Sequence, residues 1–196
     1  MKKVLLALPL IVFAVAAQAS ETDHAGHSQY AGQENQAIKS LSPDDIAELR
    51  RGGGWGLARA AELNGVPGPV HLLELKADIG LNATQVSALE NLYEQMKARA
   101  VDQGEKLIAQ EQELEKLFSG RTVTDATLRA SLKAIATARM ELRYVHLATH
   151  LKTPDILSQD QIGKYNTLRG YANPDPCDLI PKGHDPDKWH KHNGCK

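Results

Sequence analysis

The chain has 196 residues, with 23 Lys and Arg against 24 Asp and Glu and a formal charge of −1 with His neutral. That balance excludes the strongly basic footprint of a nucleic-acid or anionic-lipid binder. The length is enough for one domain with tails.

The first 19 residues, MKKVLLALPLIVFAVAAQA, place two lysines before an apolar run and end on Ala17-Gln18-Ala19. This is the pattern of a secretory signal peptide cut after Ala19, with an uncleaved N-terminal anchor as the alternative. The run is short of the roughly 20 apolar residues that span a bilayer. Export without a lipobox cysteine implies a soluble protein, and in a bacterium the periplasm. Losing Lys2 and Lys3 leaves 21 basic residues against 24 acidic ones, so the mature charge is −3.

Residues 20–40 are polar and aperiodic and read as a disordered or loosely attached linker. LSPDD opens the first helix, with Ser42 as cap, Pro43 at the first helical position, and Asp44 and Asp45 at the positive end of the dipole. RGGGWG (51–56) ends it. No strand precedes those glycines and no Lys-Ser/Thr follows, so they form a hinge rather than a phosphate loop. A short helical segment reaches Asn64-Gly65, with Trp55, Leu57 and Leu63 available to dock on the helices or on a partner. Residues 41–68 thus form short helices around a Gly-rich hinge.

Pro69 opens PVHLLELKADIG, whose Leu72, Leu75 and Ile79 share a stripe ending at Gly80. Asn82 caps a long helix over 83–118, about 54 Å at 1.5 Å per residue. Its seam is Val86, Leu89, Tyr93, Met96, Ala100, Gly104, Leu107, Leu114 and Phe118. After SGRTVTD, Thr124 caps a second long helix with Leu128, Leu132, Ile135, Leu142 and Val145 inward, ended by Pro154. Ser158 caps a last helix over 159–170. The tail, 171–196, is rich in Pro and Gly and reads as irregular. Its Cys177 and Cys195, the only cysteines, read as a disulfide contributing about 3 kcal/mol.

The expected fold is therefore all-α: a long antiparallel helical hairpin, short flanking helices and irregular tails. Charge agrees with the hairpin. Residues 82–119 carry seven acids and four bases, and residues 120–152 carry two acids and six bases. Each exposed pair adds little.

LNATQ (Leu81–Gln85) and LSQDQ (Leu157–Gln161) share the form Leu-cap-x-x-Gln. In each, a polar residue caps a helix and the Gln three positions on can reach back to it. Two such motifs flanking a helical hairpin in an exported chain resemble the periplasmic LTxxQ family, of the Spy, CpxP, ZraP and CnrX type. The resemblance spans residues 69–170, with Asn82 and Ser158 where the family has Thr. It implies a four-helix LTxxQ fold and a homodimer. It further implies work in envelope or heavy-metal stress as metal sensor, resistance protein or ATP-independent chaperone. Implied partners are unfolded clients or a membrane sensor or anti-sigma protein.

LRYVHLATHL (142–151) sets His146 on the inward seam and His150 one turn further. With the turn near 121–122, facing residue numbers sum to about 243. His150 then lies opposite Tyr93 and His146 opposite Lys97, with Glu94 between those levels and Glu90 a turn away. The helix opened by Pro69 folds back near this end with His71 and Glu74. Imidazole and carboxylate together suit Zn, Cu, Ni or Co, so His71, Glu74, Glu94, His146 and His150 are the candidate metal ligands. The alternative is a satisfied core His146 and a solvent-exposed His150. By resemblance to CnrX-type sensors, His71, Glu94 and His146 carry over as ligands. Leu75 stands where a second His is expected, with Glu74 as possible substitute, and His150 replaces a Met. A second, weaker site is His184, His190 and His192 in the tail, with His24 and His27 as further low-affinity ligands. No nucleophile sits beside a base in a catalytic motif, so an enzyme is not expected.

Overall fold

The computed structural model describes residues 28, 30–172, 177, 180 and 183–195. The signal-peptide expectation, His24 and His27 lie outside the described residues. The chain divides into two compact units, Met1–Glu34 and Asn35–Lys196. In the first, the Ala31 and Gln33 amides close turns onto the Ser28 and Tyr30 carbonyls at 2.9 and 3.1 Å. All that follows concerns the second.

The regular elements among the described residues are all helices, in the order α1 Pro43–Arg50, α2 Arg59–Glu62, α3 Pro69–Glu74, α4 Lys76–Ile79, α5 Ala83–Ser119, α6 Asp125–His150, α7 Gln159–Leu168 and α8 Pro186–Asn193. No helix among them is long and apolar enough to cross a membrane. The two long helices, α5 and α6, pack together across a five-residue connection. Capping boxes at Ser42, Asn82, Thr124 and Ser158 start α1, α5, α6 and α7, because each side chain accepts from the amide three residues on.

Three expectations change. The segment from Pro69 to Ile79 is two helices, broken at Leu75 (φ −97°, ψ 14°), although α4 still ends on a left-handed Gly80. The end of the stretch expected to be loosely attached belongs to the core: Ile38 is 4% exposed, Ser40 Oγ reaches Glu111, and Lys39 pairs with Glu115. The tail is not wholly irregular. Asp185 caps α8 with Pro186 at its first position, and a left-handed Gly194 ends it. These are the signals that open α1 and close α4, and the expectation weighted Pro and Gly content over them.

Two apolar clusters form. One joins Leu49 of α1 and Leu57 to Met96, Ala100, Leu107 and Ile108 of α5 and to Ile135, Ala138, Leu142 and Val145 of α6. Gly104 admits α1, since a Cβ there would stand 2.6 Å from the Leu49 carbonyl oxygen. The second joins Leu72, Ile79, Leu89, Leu157 and Tyr165. The expected seam fails near the turn, where Phe118 and Leu132 are half exposed. α1 packs only further along, and two helices alone cannot enclose the stripe between them. Residues 51–56 are not a free hinge. A Cβ on Gly52 would meet the Lys97 carbonyl of α5 at 3.0 Å. Trp55 donates its indole N–H to Asp45 at 2.8 Å beneath the Arg139 guanidinium, 4.7 Å from the ring. Leu57 is buried and Leu63 is exposed.

Candidate functional site

The two Leu-cap-x-x-Gln motifs meet. Each Gln Oε1 accepts from its own cap amide, Asn82 at 3.1 Å and Ser158 at 3.0 Å. The two side-chain amides also bond each other, Gln85 Nε2 to Gln161 Oε1 at 2.8 Å and the reverse at 3.0 Å. The remaining N–H groups go to the Ile156 and Gly80 carbonyls. Leu157 is buried and Leu81 is packed on the second cluster. Residues 71 to 81 positions apart are thereby clasped, which ties the start of α5 to the start of α7.

One level away, α2, α3, α5 and α6 line a half-open cavity of about 500 Å³, with His71, His146, His150, Glu62, Tyr93 and Met96 in its wall. α6 supplies His146 and His150 one turn apart. The segment Gly65–Gly68, between α2 and α3, is strapped against them. His150 Nδ1 lies 2.9 Å from the Val66 carbonyl, the Thr153 hydroxyl donates to the Pro67 carbonyl at 2.6 Å, and Asn166 donates to the Gly65 carbonyl at 3.2 Å.

The histidines differ in what their nitrogens do. The Val66 contact makes His150 Nδ1 a donor, and its Nε2 faces Glu62 Oε1 at 3.9 Å. His71 Nδ1 meets Glu74 Oε2 at 2.8 Å. Glu74 thus holds the His71 ring and does not line the cavity. His146 is 5% exposed and its Nε2 has no partner. Burial, with His150 as the second cause, lowers its pKa to about 4, so the ring is neutral near pH 7. Tyr165, wholly buried, donates to Glu62 Oε2 at 2.7 Å. Burial first and then that carboxylate push the phenol above its usual range, so it stays a donor.

Gly68 forms the floor between His150 and Glu62. A Cβ there would stand 2.7 Å from His150 Cε1 and Nε2 and 3.0 Å from Glu62 Oε1. Its φ of −96° suits any residue, so only the closeness of these side chains requires glycine.

Of the expected ligands, His71, His146 and His150 come to one cavity. Glu94 does not: it is exposed and outside the lining. Tyr93 does line it, as the hairpin register predicts, but the next residue on a helix is rotated by about 100° and leaves the seam. His150 is buried and bonded, not exposed. Sequence reasoning missed Glu62, Gly68 and Met96. Met96 stood in the predicted seam, whereas Glu62 lies on a four-residue helix with no periodicity to betray its direction. In the tail, Cys177 and Cys195 are disulfide-bonded. His184 stacks edge-on against Trp189 at 5.0 Å, His190 Nε2 is buried and has no hydrogen-bond partner, and His192 is exposed. Among the described residues, no three His, Cys, Asp or Glu side chains are arranged to hold one metal ion as they stand.

Comparison of the chain with protein-family models, with curated proteins and with solved structures returned no match.

Proposed function

We propose that this chain binds a divalent transition-metal ion, Zn, Cu, Ni or Co, as a periplasmic sensing or resistance protein of the LTxxQ type. The observation that carries the reading is the buried, partnerless Nε2 of His146, beside a cavity that also receives His71, His150 and Glu62. An uncompensated buried polar atom is unfavourable by about 1–3 kcal/mol, and a ligand that accepts its lone pair removes that penalty. The neutral state of His146 suits it, since no proton has to leave before a metal binds. The partners of the other rings fit as well. His150 on a backbone carbonyl and His71 on a carboxylate have the outer contacts that fix the tautomer of metal-binding imidazoles. Gathering three ligands on one ion requires a change of side-chain rotamer from the present arrangement.

The test is a calorimetric titration of the chain with Zn(II), Cu(II), Ni(II) and Co(II), with and without the tail after Ala172. Stoichiometric binding that survives tail removal and weakens about a hundredfold or more in His146→Ala/His150→Ala is expected, since each lost ligand removes several kcal/mol. Unchanged affinity in that double variant overturns the reading.

A second reading, an ATP-independent chaperone or stress-sensor adaptor working as a homodimer, is favoured by a different observation. Met140 and Tyr144 in the C-terminal half of α6 and Leu151 just beyond it are 54%, 56% and 73% exposed. Their spacing sets them along one side, an apolar strip of the kind that meets unfolded segments or a second copy. Its test is suppression of client aggregation without nucleotide or metal. Failure at several-fold molar excess removes it.

A further inference from the structure

Beside the histidine cavity lies a second one of about 490 Å³, and the two share Trp55, Gly56, Arg59 and Leu63 in their walls. Its charged lining is Arg59 at the start of α2 and Arg139 and Arg143 one turn apart on α6. No acidic side chain lines it. None of the three guanidinium groups has an ion-pair partner among the described residues. Elsewhere in the protein, Arg50, Arg51, Arg129, Lys39, Lys106 and Lys116 each pair with a carboxylate, while Arg99, Arg121 and Lys133 form no ion pair among the described residues.

This concentration of three positive charges occurs in a chain whose net charge is −1. Like charges four residues apart on a helix are unfavourable by about 0.2–0.5 kcal/mol. A third guanidinium from another helix adds to that repulsion. Of the three exposed arginines, Arg139 is held in place. Arg139 is stacked 4.7 Å over the Trp55 ring, and Trp55 is held by its 2.8 Å bond to Asp45. Asp45 keeps its charge, since the Ser42 and Trp55 hydrogen bonds lower its pKa. Guanidinium offers planar, paired N–H donors that match carboxylate or phosphate oxygens. The Asn64 side chain and the exposed Leu63 complete the rim with a polar and an apolar contact.

We propose that the groove of Arg59, Arg139 and Arg143 binds a small organic polyanion carrying two or more carboxylate or phosphate groups. The anionic groups meet the arginines, and the body of the ligand lies along Trp55 and Leu63. The site contains none of the candidate metal ligands, although it shares Trp55, Gly56, Arg59 and Leu63 with the wall of the histidine cavity.

The test is calorimetry on the full chain, dialysed against a chelator and then freed of it, with citrate in one arm and inorganic pyrophosphate in the other. The proteins are wild type, Arg139→Gln/Arg143→Gln, and Arg129→Gln. The last removes an exposed arginine of α6 that already has a partner in Asp125. Saturable binding of one anion per chain is expected for wild type and Arg129→Gln, weakened at least about tenfold in the double variant, as loss of charge-assisted bonds requires. The arm that binds more tightly assigns the ligand as carboxylate or phosphate. Circular dichroism melts within a few degrees of wild type show that the double variant is folded. Absence of saturable binding in both arms, or equal weakening by Arg129→Gln, overturns the proposal.

Discussion

Two polar pairs sit inside this helical body and have opposite hydrogen-bond balances. In the Gln85–Gln161 clasp both amide oxygens accept twice and both nitrogens donate twice. In the His146–His150 pair, His150 is anchored through one nitrogen while His146 Nε2 has no partner. The glutamines are joined across 76 residues and the histidines stand one turn apart on α6, yet only the first pair is complete. A closed network rigidifies and leaves nothing for a ligand. An open one is unfavourable in the folded chain and is where binding can be gained. The clasp is accordingly a structural lock, and the histidine cavity is the place to look for chemistry.

Breaking the clasp is the largest stability effect expected. Gln85→Ala removes the partner of four groups at once: the Asn82 amide, the Ile156 carbonyl, and both ends of the Gln161 amide. Only part of that network is shielded from water, so a loss of about 2–4 kcal/mol is expected in urea unfolding. Gln85→Ala/Gln161→Ala should fall well short of the sum of the single effects, because the first change already breaks the shared bonds. Additive losses would show that each Gln acts only as a cap for its own helix.

Half of this contrast is legible in the chain. The Leu-cap-x-x-Gln spacing reveals both caps, because a cap is a local hydrogen bond over three residues. That the two glutamines bond each other is not legible, since it depends on 76 residues of intervening hairpin. The same divide runs through the site. The 3.6-residue period puts His146 inward, and the hairpin arithmetic brings Tyr93 to the level of His150. It does not resolve one residue from the next, which is how Glu94 took the place that belongs to the seam. Glu62 was beyond reach for another reason. It is positioned by the bond from Tyr165, 103 residues away along the chain, a tertiary contact. In the tail the information was present, as Asp185-Pro186 and Gly194, but composition was read ahead of caps.

The open pair is separated from the closed one by pH. The folded pKa of His146, about 4, lies below the ordinary value of 6.5 that applies in the unfolded chain. Above pH 6.5 neither state binds the proton, and this residue makes no pH-dependent contribution. Between 6.5 and 4 the unfolded chain takes up a proton that the folded chain refuses, so stability falls as the pH falls. Below 4 the penalty levels off, at up to about 3 kcal/mol, of which about 2 kcal/mol is expressed at pH 5. His146→Leu keeps an apolar side chain of similar reach and removes the titration. The expected result is that wild type loses about 2 kcal/mol more than His146→Leu between pH 7.5 and pH 5, measured by urea unfolding of metal-free protein. Equal losses would mean that water reaches the His146 ring and that its burial does not hold the imidazole neutral.

The smallest expected effect on stability tests how tightly the open pair is framed. Gly68→Ala adds one methyl group at a position whose backbone tolerates it, so the chain should fold with a loss of at most about 1–3 kcal/mol. The methyl carbon, however, falls on the His150 ring and against Glu62. Either the ring turns, which breaks the bond from Nδ1 to the Val66 carbonyl, or Glu62 retreats towards Tyr165. Both widen the separation between His150 Nε2 and Glu62 Oε1, now 3.9 Å. If this gap is where an ion is held, metal affinity should fall about tenfold, the lower end of what disturbed outer contacts produce. The Gln85–Gln161 clasp, which shares no atom with Gly68, should be unaffected, and that is checked by an unchanged coupling energy between the two glutamines in the Gly68→Ala background. Lower metal affinity with an intact clasp separates the two pairs as site and scaffold. Unchanged affinity would move the ion away from Glu62 and leave the three imidazoles to hold it alone.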